Sequence, residues 1–172
     1  EMDKLKIGDP FKKDITLGPL AHKKSIQFLE NQKQDAIKKG AEIIEFNGSI
    51  PKLGNFLRPF IAVNCNHDMD LMKEESFGPI VGIMKVKSDE EAIELMNDSE
   101  FGLTASIWTT NDSRANYLAK NIESGTIFQN RCDVLDPELP WVGIKNSGHG
   151  VSLGEIGIQQ LTRPKSFNFK KI

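Results

Sequence analysis

Between residues 79 and 129, strand-sized apolar runs alternate with helix-sized amphipathic stretches, and this alternation narrows the available folds more than any other feature. The run 80–86 reads as a strand. Ser88-Asp89-Glu90-Glu91 follows as a capping box, with acids at the positive end of a helix reaching about Asn97. That helix is expected to bury Ala92, Ile93, Leu95 and Met96. The run 103–108 is the next strand. Ala115, Leu118, Ala119 and Ile122 then recur at the spacing of a single buried helical stripe, and 125–129 forms a third strand. Crossovers of this length predict parallel strands with right-handed connections. The expected class is α/β, a parallel-rich sheet with flanking helices.

The flanking regions read less regularly. Residues 20–39 predict a helix, with Ile26, Leu29, Ala36 and Ile37 on one face and Gly40 placed to end it. Lys33 interrupts that face, though its alkyl stem can lie along it with the ammonium in water. Residues 41–46 predict a short strand, and 60–63 an extended run after Pro59. The stretch 131–150 is irregular and rich in Gly and Pro, a short helix is expected near 153–161, and the alternation 166–170 suggests a terminal strand.

Composition adds exclusions. A chain of 172 residues can bury one sizeable core. Its longest apolar stretches are strand-sized, so no membrane span is expected. Twenty-two basic against 24 acidic residues, scattered along the chain, argue against a nucleic-acid partner. Two cysteines cannot build a disulfide framework, which makes a reducing, cytoplasmic setting the expectation. The chain opens on Glu1 rather than Met, as a fragment would.

Several residues are candidates for chemistry. Cys65 lies two residues from His67, and Cys132 follows Arg131, but neither spacing is diagnostic, and a buried, inert thiol is the expectation for each. Cys65, His67, Cys132, His149 and His22 lack the paired spacing of a zinc site, so no metal is expected. The glycines of 148–154 miss the dinucleotide fingerprint by one residue, and a turn into a helix is the simpler reading. Asn47, Asn97 and Asn111 each begin a glycosylation-type triplet and read as turns and caps. The most informative segment is Glu74-Glu75-Ser76-Phe77-Gly78-Pro79. Gly78-Pro79 forces a turn that leaves a carboxylate and an aromatic ring two residues apart at a strand entrance. An ionised carboxylate offers two acceptor oxygens to neighbouring sugar hydroxyls, and a flat ring can pack on a heterocycle. A solvated acid pair followed by a core Phe is the alternative.

Seven pieces then occur in an order that resembles the C-terminal portion of the aldehyde dehydrogenase superfamily. They are Ile7-Gly8-Asp9-Pro10, Leu17-Gly18-Pro19-Leu20, the Glu74 to Pro79 segment, the stretch from Asn97 to Trp108, the stretch from Gly125 to Asn130, Pro140-Trp141-Val142-Gly143-Ile144-Lys145-Asn146-Ser147-Gly148, and Leu153-Gly154-Glu155. The resemblance implies residues 1–130 as part of a catalytic domain, 131–163 as a tunnel-lining loop with a short helix, and 164–172 as a terminal oligomerisation strand that adds to a neighbouring subunit's sheet. It implies NAD(P)-dependent oxidation of an aldehyde to a carboxylic acid, through a cysteine thiohemiacetal and a glutamate-activated water. Glu75 would hold the nicotinamide ribose hydroxyls, and Phe77 would pack near the nicotinamide. Asp133, Leu135 and Trp141 would fall in the stretch lining the substrate tunnel, and the enzyme would be a homo-oligomer, a dimer or tetramer. The family's nucleophile, base glutamate and dinucleotide-binding domain lie upstream of Glu1, so the chain alone is expected to be inactive. Val142 stands where a second glycine is usual, and Val151-Ser152 replaces the common Arg-Glu; both bear on tunnel shape and substrate preference. A non-catalytic association module, joined through a sheet edge and the terminal strand, is the alternative, and a cysteine hydrolase using Cys65 and His67 is a third reading.

Overall fold

A computed structural model describes residues 1–132 and 134–172. It divides into two compact units, Glu1–Val86 and Lys87–Ile172.

The first unit opens with a 3-10 turn, Met2–Lys4, and a parallel bridge between Ile7 and Leu17. Helix α1 (Lys23–Lys38) ends before Gly40, whose φ of +99° suits a residue without a Cβ. Its buried stripe is Leu29, Gln32 and Ala36, rotated from the expected one, and Ile37 is exposed. Lys33 does point inward. Its ammonium pairs with Glu45 and lies 5.4 Å from the centre of the Phe60 ring.

Strand β1 (Glu42–Glu45) pairs antiparallel with β2 (Phe60–Val63), Glu42 opposite Val63. The short helix α2 (Asp70–Lys73) then carries the chain to β3 (Ile80–Gly82), which pairs parallel with β2. The core of this unit joins Ala36, Ala41, Phe60, Ala62, Cys65, Met69 and Leu71.

In the second unit, α3 (Asp89–Asn97) starts where the capping box places it, with the Ser88 hydroxyl accepting from the Glu91 N–H. The Glu91 carboxylate reaches back to the Lys87 N–H, one residue earlier than the standard box. The face expected to be buried is only half-buried, and Met96 is exposed. Strands β4 (Phe101–Gly102) and β5 (Thr104–Ile107) precede α4 (Asp112–Asn121), which is capped by the Asn111 side chain. Strand β6 (Thr126–Gln129) pairs parallel with β5, so this crossover is as expected. The core here is Ala105, Ile107, Ala115, Leu118 and Ile122. Two-residue strands β7 (Trp141–Val142), β8 (Ile144–Lys145) and β9 (Val151–Ser152) follow, then α5 (Gly154–Gln159). Strand β8 pairs antiparallel with β4, and β9 with β7.

The architecture is therefore mixed α/β, but its sheets are small and mostly antiparallel rather than parallel-rich. Two causes are visible. The link from β1 to β2 carries no helix among its residues, so the chain doubles back instead of crossing over. The Gly- and Pro-rich stretch also returns as short ladders. Residues 164–172 form no β-ladder among the described residues.

Candidate functional site

The segment between α2 and β3 is built around a buried contact. The Ser76 hydroxyl donates to Gln32 Oε1 at 2.8 Å, and Gln32 is only 2% exposed. Its Nε2 has no partner among the described residues. Leaving such a group buried and unsatisfied costs about 1–3 kcal/mol. Two residues on, a Cβ at Gly78 would fall 2.3 Å from Leu29 Cδ1, so any larger residue there forces the Leu29 side chain to shift. The Gly78 N–H donates to the Ser76 carbonyl, and the Ile80 N–H to the Gly78 carbonyl, which turns the chain into β3.

On either side of Ser76 the side chains face away from the core. Glu75 is exposed and Phe77 is 81% exposed. The alternative of a core Phe is thereby removed. The Glu75 carboxylate makes no hydrogen bond among the described residues, so both of its oxygens are available to a ligand.

The second unit holds the other candidates. Leu135 is exposed, as are Val134 and Leu139, while Trp141 is half-buried in β7 opposite Ser152. Asp133 lies outside the described residues. The entrance to this stretch is fixed by Asn130, at φ +53°, whose side chain accepts from the Thr109 N–H and donates to the Thr109 carbonyl, both at 2.9 Å. Gly125 sits so close to β7 that a Cβ there would fall 1.6 Å from the Val142 carbonyl oxygen. Residues 148–150 turn the chain into β9 and α5, where Leu153 holds φ +63° and ψ 173°, a region that nearly always needs glycine.

The two thiols differ. Cys65 is buried, and its sulfur donates to the Ala62 carbonyl at 3.3 Å, which withholds it from nucleophilic work. Cys132 is exposed, contrary to the expected burial, because the chain leaves β6 there and packs nothing over it. Among the described residues, no three His, Cys, Asp or Glu side chains gather as a metal group, and no helix is long and apolar enough to cross a membrane.

Gln32 and Ser76 escaped the sequence reading. The available signal was a polar side chain one turn from Leu29 and one from Ala36, on a stripe that is otherwise apolar.

The profile of the aldehyde dehydrogenase family matches residues 1–167. The chain belongs to that family. It is 36% identical over 160 residues to an aldehyde dehydrogenase of Paenarthrobacter nicotinovorans, covering 92% of this chain and 35% of that protein. It is 34% identical over 173 residues to the 4-trimethylaminobutyraldehyde dehydrogenase of Homo sapiens, covering 96% of this chain and 35% of the human one. Among solved structures, the betaine aldehyde dehydrogenase of Staphylococcus aureus in complex with NAD+ superposes with a TM-score of 0.83 at 30% identity, over 99% of this chain and 37% of that one. The chain thus spans about a third of the length of the aldehyde dehydrogenases it matches.

Proposed function

We propose that this chain supplies one edge of the cofactor site and a wall of the substrate tunnel in an NAD(P)-dependent aldehyde dehydrogenase, which oxidises an aldehyde to a carboxylic acid. The observation that carries the reading is the alternation at residues 75–77: Ser76 is tied inward to Gln32, while Glu75 and Phe77 project outward. A carboxylate with two free acceptor oxygens suits the paired hydroxyls of a ribose, and the exposed ring two residues on suits the flat face of a nicotinamide. The dinucleotide, when bound, supplies the hydride acceptor. Glu75 orients it by holding the ribose, and Phe77 packs beside the nicotinamide and keeps water from that face. Leu135 and Trp141 offer apolar surface to the aldehyde's side chain, and Asp133 belongs to the same tunnel-lining stretch by family resemblance.

The thiol that attacks the aldehyde is neither Cys65, which is buried and bonded to a carbonyl, nor Cys132, which stands in the tunnel-wall stretch. A polypeptide of these 172 residues alone is therefore inactive.

Two measurements test this. Mixed with NAD+ or NADP+ and a panel of aldehydes, the purified chain yields no reduced nicotinamide; turnover that survives Cys65→Ala and disappears in Cys132→Ala would overturn the assignment. In the full-length enzyme, Glu75→Gln raises the Kd for NAD+, and an unchanged Kd would remove the cofactor edge.

A second reading, assembly, is favoured by the terminal segment. Phe167, Phe169 and Ile172 are all exposed in a stretch without a ladder partner among the described residues, as a strand that completes another subunit's sheet would be. The two readings are compatible within one homo-oligomeric enzyme.

A further inference from the structure

We propose that Gln32 is a positioning residue for the Glu75 carboxylate, acting through the hydroxyl of Ser76. The inference rests on the assignment of Glu75 and Phe77 to the cofactor edge.

Three observations converge. Gln32 occupies the middle of the buried stripe of α1, between Leu29 and Ala36, where an apolar side chain would fill the same space without stranding an amide nitrogen. The carboxamide thus contributes direction, which an apolar side chain of similar volume does not. Its one bond, 2.8 Å to Ser76 Oγ, joins residues 44 positions apart and lands on the residue between the two proposed ligand contacts. Either orientation of the carboxamide keeps a bond to a hydroxyl, which both donates and accepts.

The second grip is Leu29, one turn earlier on α1, which closes over Gly78. The helix therefore holds the strip at Ser76 and Gly78, the positions that alternate with Glu75 and Phe77. With Ser76 held inward, its two neighbours Glu75 and Phe77 are exposed. Ordering a ligand-binding strip in advance lowers the entropy lost on binding.

The experiment compares the full-length enzyme that contains this chain with its Gln32→Met, Ser76→Ala, double and Ser76→Thr variants. Thermal melting and NAD+ affinity are followed together, with Glu75→Gln as the control for the cofactor edge. Gln32→Met and Ser76→Ala each weaken NAD+ binding by about tenfold, the worth of one hydrogen bond, and the double variant is no weaker than either single one. Ser76→Thr retains the hydroxyl and the parent affinity. The double variant melts at or above the parent temperature, because a stranded amide has been replaced by apolar volume. A role in stability alone would instead lower melting and leave affinity unchanged. If Glu75→Gln weakens NAD+ binding and the double variant binds with the parent's affinity, the positioning role is wrong and the cofactor edge stands. If Glu75→Gln leaves NAD+ binding unchanged, the cofactor edge falls and this inference with it.

Discussion

A methyl group added at Gly125 has nowhere to go, since its carbon would lie 1.6 Å from the carbonyl oxygen of Val142 and 2.6 Å from the carbonyl carbon. Relief requires backbone to move, whereas at Gly78 the obstruction is the terminal methyl of Leu29, which can rotate. Gly125→Ala is accordingly expected to cost about 3 kcal/mol or more, and Gly78→Ala about 1–2 kcal/mol. Urea unfolding of the two variants checks the order, and a larger loss at Gly78 would contradict it. At this scale the sequence was partly legible. The Ser88 cap follows from residue type and spacing, whereas residue type alone left Phe77 open between a ligand contact and a core ring. Gln32 does not follow, because a buried glutamine has the same letter as a surface one, and only its partner 44 residues away shows what it does.

Among the elements, α1 and α2 are clipped together by charge. Asp35 pairs with Lys39 one turn later at 2.7 Å and accepts from the Asp70 N–H at the start of α2. The hydrogen bond from Lys39, then that from the Asp70 backbone, holds the Asp35 carboxyl below the usual carboxylate range, and the Asp35 bond raises Lys39 above its own. The signs follow from linkage. A depressed carboxyl contributes stability that is present above its unfolded value, about 3.9, and is lost as pH falls through the lower folded value. A raised ammonium contributes stability present below about 10.4 and lost as pH climbs past its folded value. Asp35→Asn keeps an acceptor for Asp70 but removes the charge. Its urea midpoint should lie below the parent's at neutral pH, and the two should converge below about pH 4. Parallel curves through the acid range would refute the clip.

The elements also divide by how well they could be foreseen. Helix α4 and the parallel pair of β5 with β6 follow from a clean stripe between two apolar runs. Strands β7, β8 and β9 are two residues each, too short for any alternation to register, and they pair because Gly125 and the turns around Gly148 and Gly150 bring backbone close. The antiparallel return of β1 onto β2 was equally hidden, since apolar periodicity reports which face is buried and not which way a strand runs.

For the molecule as a whole, assembly is the property most open to test. Deleting the residues after Arg163 removes Phe167, Phe169 and Ile172, all exposed, and touches neither core cluster. Sedimentation of the full chain should show self-association that the truncated chain loses, while melting changes little. A monomer indifferent to the deletion would leave the assembly reading without support. Family membership was legible from the order of motifs, because turn-forming and contact residues recur where backbone geometry demands them. The mixed strand directions were not, because they depend on where each short segment finds an open edge. The contrast between the two thiols has a practical consequence. A brief pulse of a bulky maleimide should tag Cys132 at once and Cys65 only in molecules whose first unit has opened. The mass ratio of doubly to singly tagged chains then counts the openings of that unit alone, with no probe introduced into the sequence.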